Sequence, residues 1–329
     1  MTTYKALRVT EQDSQFVMAV EDRDIDQLPE AELLIRVKYS SLNYKDALSA
    51  KGIKGVTRQY PHTPGIDAAG VVERSSVNQF QAGDEVIVTG YDLGMNTEGG
   101  FAEFISVPAS WAIKKPETLS LRDSMILGTA GFTAGMCVDS LLQVGISPSQ
   151  GDLLVTGACG GVGSVAVALL ASLGFDVYAG TGRASERDYL IGLGAKDLLS
   201  REELTKGADR PMLKERWAGV VDTVGGEILF NAIKSTQYGG SVACCGMVAS
   251  AEFQANVFPF ILRGVNLLGV DSVELPLEVK AHIWQEFATH WNLECLEAIC
   301  TEVSLEQLPT MIDAIYLGKQ KGRVLVNLG

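Results

Sequence analysis

The sequence predicts an α/β protein in two parts, a doubly wound parallel sheet joined to a β-rich domain. Three observations carry this reading. Residues 4 to about 110 alternate apolar and polar positions between Gly, Pro and Asp turns; strand and helix signals then alternate up to about residue 270; and a glycine cluster, VTGACGGVG, sits between a short apolar run and a helix-period run. At 329 residues the chain exceeds what one hydrophobic core usually supports, so more than one domain is expected.

In the first part YKALRVT, ELLIRVKYSS, AAGVVERSS, DEVIVTG and FAEFISVP read as strands of a partly open barrel or sandwich. The period turns helical at SLRDSMILGTAGFTAGMCVDSLL, where Ser120 and Asp123 are spaced as a capping box, which places a boundary near residue 125. DLLVTG, GSVAVALLASLG, DVYAGTG, SERDYLIGLG, WAGVVDTVG, EILFNAIKS, GGSVACCG and VNLLGV then alternate as a doubly wound parallel sheet requires. Beyond Asp271 an aromatic helix (LEVKAHIWQEFATHW), a strand near CLEAICTEV, the helix SLEQLPTMIDAIYLG and the strand GRVLVNLG are expected to return to the first domain. The expected divisions are 1–125, 126–264 and 265–329, tightly joined around a cleft.

Composition narrows the function. With 27 Lys+Arg against 40 Asp+Glu the formal charge is −13, which repels phosphate backbones at long range and argues against nucleic acid as a partner. The 6 cysteines include no CxxC pair, and only 3 histidines accompany them, so neither a disulfide framework nor a structural zinc site is expected. Leu153 to Phe175 carries no charge and is long enough to span a membrane, but its glycines divide it into strand, turn and helix. The N-terminus reads as a charged alternating strand rather than a signal peptide, so a cytoplasmic enzyme with no membrane partner is expected.

The glycine cluster carries the chemistry. Gly157, Gly160 and Gly163 follow a strand and open a helix, with Gly161 and Val162 between them; missing Cβ atoms allow close approach, and helix N–H groups and dipole stabilise phosphate oxygens. Ala158 stands where the commonest G-x-G-x-x-G form has its first glycine, and glycines used only for helix–strand packing are the competing reading. The next strand ends without an acidic residue for a ribose 2′-hydroxyl and runs instead into Thr181, Gly182 and Arg183. A hydroxyl, a backbone N–H and a guanidinium suit a 2′-phosphate, which favours NADP(H), with Arg201 a second clamp or a solvated surface residue. Gly246 and Met247 lie at another strand end that could line the nicotinamide, while Cys244 and Cys245 read as small buried hydrophobes rather than redox thiols.

SSLNYKDAL, PHTPGIDAAGVV, GDEVIVTG, EGGFAEF, VTGACGGVGSVA, TGRASERDYL and PFILRGVNLLGVDS together resemble the medium-chain dehydrogenase/reductase superfamily, in its zinc-independent, YhdH/YhfP-type quinone oxidoreductase branch, along essentially the whole chain. The resemblance implies a GroES-like catalytic domain, a Rossmann NADP(H)-binding domain, and a branch that includes NADPH-dependent acrylyl-CoA reductases. Zinc-dependent members supply a Cys in the segment matching SLNYKD and a His-Glu pair in that matching PGIDAAG. Here those positions read Asn43-Tyr44-Lys45-Asp46 and Gly65-Ile66-Asp67, so no metal is expected.

Without a Lewis acid, hydride addition to an already activated C=C is the natural reaction, and negative charge then develops on a carbonyl oxygen that needs hydrogen-bond donors. The resemblance places Tyr44 beside the nicotinamide and Asn43 facing the cleft, with Tyr44 a candidate proton source; the competing reading is that NYKDAL is a polar turn into a helix, with Asp46 capping it. It also places Ile261 and Ser272 near the cofactor, with Arg263 structural. Lys51, Lys54 and Arg58 could attract the phosphates of an acyl-CoA, or form a solvated basic loop. His62 reads as fixing backbone rather than as a base, and His282 and His290 sit on an exposed-looking helix. The expected substrate is a short enoyl-CoA or a quinone, a non-catalytic NADPH-binding redox sensor is the reading from another class, and NLLGV suggests a homodimer paired along a sheet edge.

Overall fold

The computed structural model of the chain describes residues 2–291 and 293–329. Strands β1 (Thr3–Gln12) and β2 (Gln15–Asp24) form a two-stranded antiparallel ribbon, turned by Asp13 and Ser14 at φ 48° and 64°. The sequence reading has no strand at β2, whose alternate residues are only half-buried and whose end, Glu21 to Asp24, is charged throughout. After it come β3 (Leu33–Leu42), α1 (Tyr44–Ala50), β4 (Asp67–Ser75), β5 (Glu85–Thr89), β6 (Phe104–Val107) and β7 (Ala112–Lys114). Leu33, Ile35, Val37, Val72, Val86 and Ile105 alternate inward along these strands and form one core cluster.

The segment where the period turns helical forms α2 (Leu121–Gln143), which Gly128 breaks at φ 51°, ψ −160°. A Cβ on Gly128 would lie 2.1 Å from Ser41 Oγ, so only glycine can take this turn. At its start the Asp123 N–H donates to Ser120 Oγ (2.9 Å), the capping contact the spacing predicts. This segment is long and apolar enough to cross a membrane, but 72% of its apolar window is buried in the protein.

The uncharged stretch from Leu153 resolves into β8 (Leu153–Thr156), a turn and α3 (Gly161–Ser172). There follow β9 (Val177–Gly180), α4 (Arg187–Gly192), β10 (Ala195–Leu199), α5 (Arg201–Thr205), β11 (Trp217–Asp222), α6 (Gly226–Ser235), β12 (Thr236–Cys244), α7 (Phe258–Arg263) and β13 (Asn266–Gly269). The six strands are parallel in the order β10-β9-β8-β11-β12-β13. Strand order reverses between β8 and β11, the point at which such sheets open a crevice for a dinucleotide.

The tail supplies α8 (Leu277–Thr289), α9 (Leu296–Ile299), β14 (Cys300–Val303), α10 (Leu308–Tyr316) and β15 (Arg323–Asn327). Since β15 pairs with β3 and β14 with β15, the tail completes the sheet β14-β15-β3-β4-β5-β7, with β6 also on β3. Leu308, Ile312, Val324 and Val326 pack with Leu7, Val9, Leu42 and Phe101, which fixes that return by apolar burial. One compact unit holds the chain through Thr129, Val273–Thr289 and Leu296–Gly329; the other holds Ala130–Ser272 and His290–Cys295.

Candidate active site

In the parallel-sheet unit the glycines of the turn after β8 have different reasons to be glycine. At Gly157 (φ +62°) a Cβ would lie 2.2 Å from Thr223 Oγ1, and at Gly163 it would lie 2.3 Å from the Gly157 carbonyl oxygen. Packing accounts for both. Gly160 caps α3, and the nearest atom to its missing Cβ is the Gly157 oxygen at 3.3 Å. The contact at Gly160 is the loosest of the three, and the helix leaves the N–H groups of Gly161, Val162 and Gly163 without intrahelical acceptors.

The turn after β9 is brought alongside. The Ala158 N–H donates to the Gly180 carbonyl (3.1 Å), and Cys159 Sγ lies 3.1 Å from Thr181 Oγ1. Thr181 is buried and accepts from the Arg183 N–H (3.0 Å). Arg201, the first residue of α5, sets a guanidinium nitrogen 3.3 Å from the missing Cβ of Gly182, so the two arginines of this edge flank one glycine. Tyr189 donates to Ser164 Oγ (2.9 Å), which donates to the Ala158 carbonyl (3.1 Å); burial pushes the phenol up to about 12 and keeps it a donor.

Met247, 70% exposed, follows β12 with its Cα 3.2 Å from the missing Cβ of Gly225. Ile261 is exposed on α7, and Ser272, beyond β13, accepts from Thr133 Oγ1 (2.9 Å). Arg263 donates to the carbonyls of Leu213, Lys234 and Thr236, which is a structural use. Burial and the Asp222 charge push the Cys244 thiol up to about 11, and a hydrogen bond with Cys245, then burial, raises Cys137. These two thiols stay protonated at neutral pH, against a nucleophilic role.

In the β-rich unit the segment NYKDAL does form a helix start, with Asn43 at the N-cap of α1. The Asp46 carboxylate accepts from the N–H groups of Asn43 (2.7 Å), Ile66 (2.9 Å) and Gly65 (3.2 Å), stapling α1 to the entry of β4. Asp67 accepts from Ser41 Oγ (2.5 Å), Asn43 Nδ2 (2.7 Å), the Thr129 N–H (2.8 Å) and Thr129 Oγ1 (2.5 Å). Arg323 donates to the carbonyls of Ile126 (2.9 Å) and Leu42 (3.2 Å) and to Asn43 Oδ1 (3.3 Å). Asp46, Asp67 and Arg323 are all buried. Burial and the Asp67 charge push Asp46 up to about 7, against the pull of its three N–H donors.

This knot decides what Asn43 can do. Its amide nitrogen already serves Asp67 and the Ser41 carbonyl (3.2 Å), so both amide hydrogens are used inside the protein. Tyr44 is 41% exposed, and among the described residues its hydroxyl has no hydrogen-bond partner. Sequence reasoning passed over Arg323, read only as part of the final strand, and Thr129, read as mid-helix. An arginine opening an otherwise apolar strand was the one signal available.

Elsewhere, Lys51 pairs with Asp313 (2.5 Å) and is not free for an anionic tail, whereas Lys54 and Arg58 are exposed. His62 is buried with its ring 2.9 Å from the Gly94 carbonyl and its backbone paired with Val9, which fixes backbone as the sequence suggested. His282 is exposed on α8, and His290 lies just past that helix.

The chain matches family models described as "Alcohol dehydrogenase GroES-like domain" over residues 29–117 and "Zinc-binding dehydrogenase" over 161–289. Zinc does not fit the residues present: no group of three or more His, Cys, Asp or Glu that could hold a metal occurs among the described residues. Asp46 and Asp67 have their oxygens occupied by the donors named above. The putative quinone oxidoreductase YhfP of Bacillus subtilis is 44% identical over 328 residues, 99% of either chain, and its crystal structure with NAD bound superposes at TM-score 0.97, covering 100% of both chains. The acrylyl-CoA reductase AcuI of Ruegeria pomeroyi is 44% identical over 310 residues, 94% of either chain. The yhdH oxidoreductase of Salmonella enterica in complex with NADP is 43% identical, covering 99% of this chain and 100% of its own, at TM-score 0.96. The chain belongs to the medium-chain dehydrogenase/reductase superfamily, within the group that holds these quinone oxidoreductases and acrylyl-CoA reductases.

Proposed function

We propose that this oxidoreductase uses NADPH to reduce the conjugated C=C of a short enoyl thioester, acrylyl-CoA to propionyl-CoA being the favoured reaction. The observation that carries the reading is Gly160: the turn leaves room there that protein packing does not use, at the head of a helix on the switch point of a parallel sheet. NADPH, when bound, supplies the hydride. Gly160 to Gly163 would hold its pyrophosphate, while Thr181, Gly182, Arg183 and Arg201 would hold the 2′-phosphate, with Met247, Ile261 and Ser272 towards the nicotinamide. A relative crystallised with NADP supports this coenzyme, and one crystallised with NAD keeps the choice worth testing.

Tyr44 is the residue we assign to proton delivery at Cα, because its hydroxyl is accessible and has no partner among the described residues. Asn43 acts as a positioning residue: with its amide hydrogens engaged by Asp67 and Ser41, it orients the start of α1 and so the Tyr44 ring. Lys54 and Arg58 remain available to the phosphates of CoA. The β13 edge, with Leu267 40% exposed, suits pairing with a second copy, and a monomer in sedimentation velocity would remove that assignment.

The second reading, an NADPH-dependent quinone reductase, is favoured by the name of YhfP. Steady-state assays with acrylyl-CoA, crotonyl-CoA and 1,4-benzoquinone separate the two. The expected order places kcat/KM for acrylyl-CoA highest, and a higher value for the quinone reverses the assignment.

A further inference from the structure

Asp222 ends β11 at the point where the strand order reverses, and it is fully buried. No Lys, Arg or His forms an ion pair with it among the described residues. A carboxylate kept there without a cation must have its oxygens used by hydrogen bonds. Oδ1 accepts from Thr156 Oγ1 (2.7 Å), at the end of β8, and Oδ2 accepts from the Gly225 N–H (2.7 Å), which caps α6.

Thr156 is locked from the other side as well. Its hydroxyl accepts from the Thr223 N–H (3.0 Å) while donating to Asp222, and its carbonyl accepts from Thr223 Oγ1 (2.9 Å). The same Thr223 hydroxyl is the atom 2.2 Å from the missing Cβ of Gly157, so it fills the space a side chain would take at the first residue of the phosphate-binding turn. The exit of β12 is bound in too: the Cys245 N–H donates to the Asp222 carbonyl (3.0 Å), and a Cβ on Gly246 would lie 1.9 Å from the Thr223 oxygen. Three neighbouring strand ends, β8, β11 and β12, are thus joined through Asp222 and its neighbour directly before Gly157.

We propose that Asp222, acting through Thr156, is a positioning residue for dinucleotide binding: it sets the phosphate-binding turn and touches no reacting atom. The proposal rests on the coenzyme site assigned above. Phosphate donors on a turn act only at close tolerance, and a displacement of about 1 Å can cost about 100-fold, so the support beneath the turn is read in coenzyme affinity.

The test is fluorescence titration of NADPH with the full chain, with thermal midpoints and steady-state constants alongside. Thr156→Val keeps the shape and removes the hydroxyl, Thr156→Ser restores it, and Asp222→Asn removes one acceptor. We expect Thr156→Val and Asp222→Asn each to raise the NADPH Kd about tenfold, with kcat at saturating coenzyme within about twofold of the unsubstituted chain. Thr156→Ser should return to the original Kd, and the double variant Thr156→Val/Asp222→Asn should lose little more than either single one. A folded Thr156→Val protein with unchanged Kd, or a fall in kcat with Kd unchanged, overturns the proposal. If Asp222→Asn does not fold, the Val and Ser pair at Thr156 decides alone. If the unsubstituted chain shows no saturable NADPH binding, the coenzyme site itself is wrong, which is a separate failure.

Discussion

The glycine turn of the parallel-sheet unit and the polar knot of the β-rich unit solve opposite problems. The turn keeps donors available: α3 leaves its first N–H groups without intrahelical acceptors, and a Cβ on Gly160 would meet one oxygen, that of Gly157 at 3.3 Å. In the knot, by contrast, two buried carboxylates are closed in by side-chain and backbone donors, with a buried guanidinium beside them. The first is suited to receive charge from outside. The second holds charge inside, and its members can only orient what lies at its rim, Asn43 and Tyr44. Open donors make a binding site; donors turned onto buried carboxylates make a scaffold.

The widest separation between the two should appear in stability against pH. Asp46 has an ordinary value of 3.8 and is held at about 7 in the fold, so the folded chain keeps its proton where the unfolded chain has lost it. Its contribution is therefore fully present below about pH 4 and is lost as pH rises through 7. Asp46→Asn should flatten this part of the curve: in urea unfolding, the wild type should lose on the order of 4 kcal/mol relative to the variant between pH 4 and 8. Parallel curves would show that the fold does not hold the Asp46 proton as described.

A smaller effect distinguishes the glycines within the turn. Gly163→Ala should lower the thermal midpoint, because its Cβ meets backbone at 2.3 Å, whereas Gly160→Ala meets one oxygen at 3.3 Å and should fold normally. Its loss should instead be in coenzyme affinity, about 10- to 100-fold by fluorescence titration. A Gly160→Ala protein that binds NADPH as before would return all these glycines to packing.

The smallest effect concerns the choice of coenzyme. Arg183→Ala should weaken NADPH about tenfold and leave NADH within about twofold, since only the former carries the 2′-phosphate. Equal losses for both coenzymes would take Arg183 out of the phosphate site.

The two sites also differ in how they can be read. The dinucleotide turn is local: strand, glycines and helix lie within residues 153–172, and the Thr181 to Arg183 turn follows one strand later. Periodicity and residue type were enough to find that strand, those glycines and that helix. The knot draws on Asn43, Asp46, Asp67, Thr129 and Arg323, from two strands, a helix start and a break in α2. None of these segments carries a spacing that points to the others, and Gly128 looked like any small residue in a helix. Arg201 lies between the extremes: its sequence allowed a clamp or a surface residue, and only packing over Gly182 places it at the same edge as Arg183.

The sequence by itself determined the two-part architecture, the strand–helix alternation of a doubly wound parallel sheet and the glycine turn, because hydrophobic period and missing side chains are properties of neighbouring residues. Only the tertiary structure decided which glycine is open to a ligand, which carboxylates are buried together, and that an arginine near the end of the chain sits beside the start of α1. Burial and the low dielectric it creates depend on what the rest of the chain places overhead, and that is not written in any one segment.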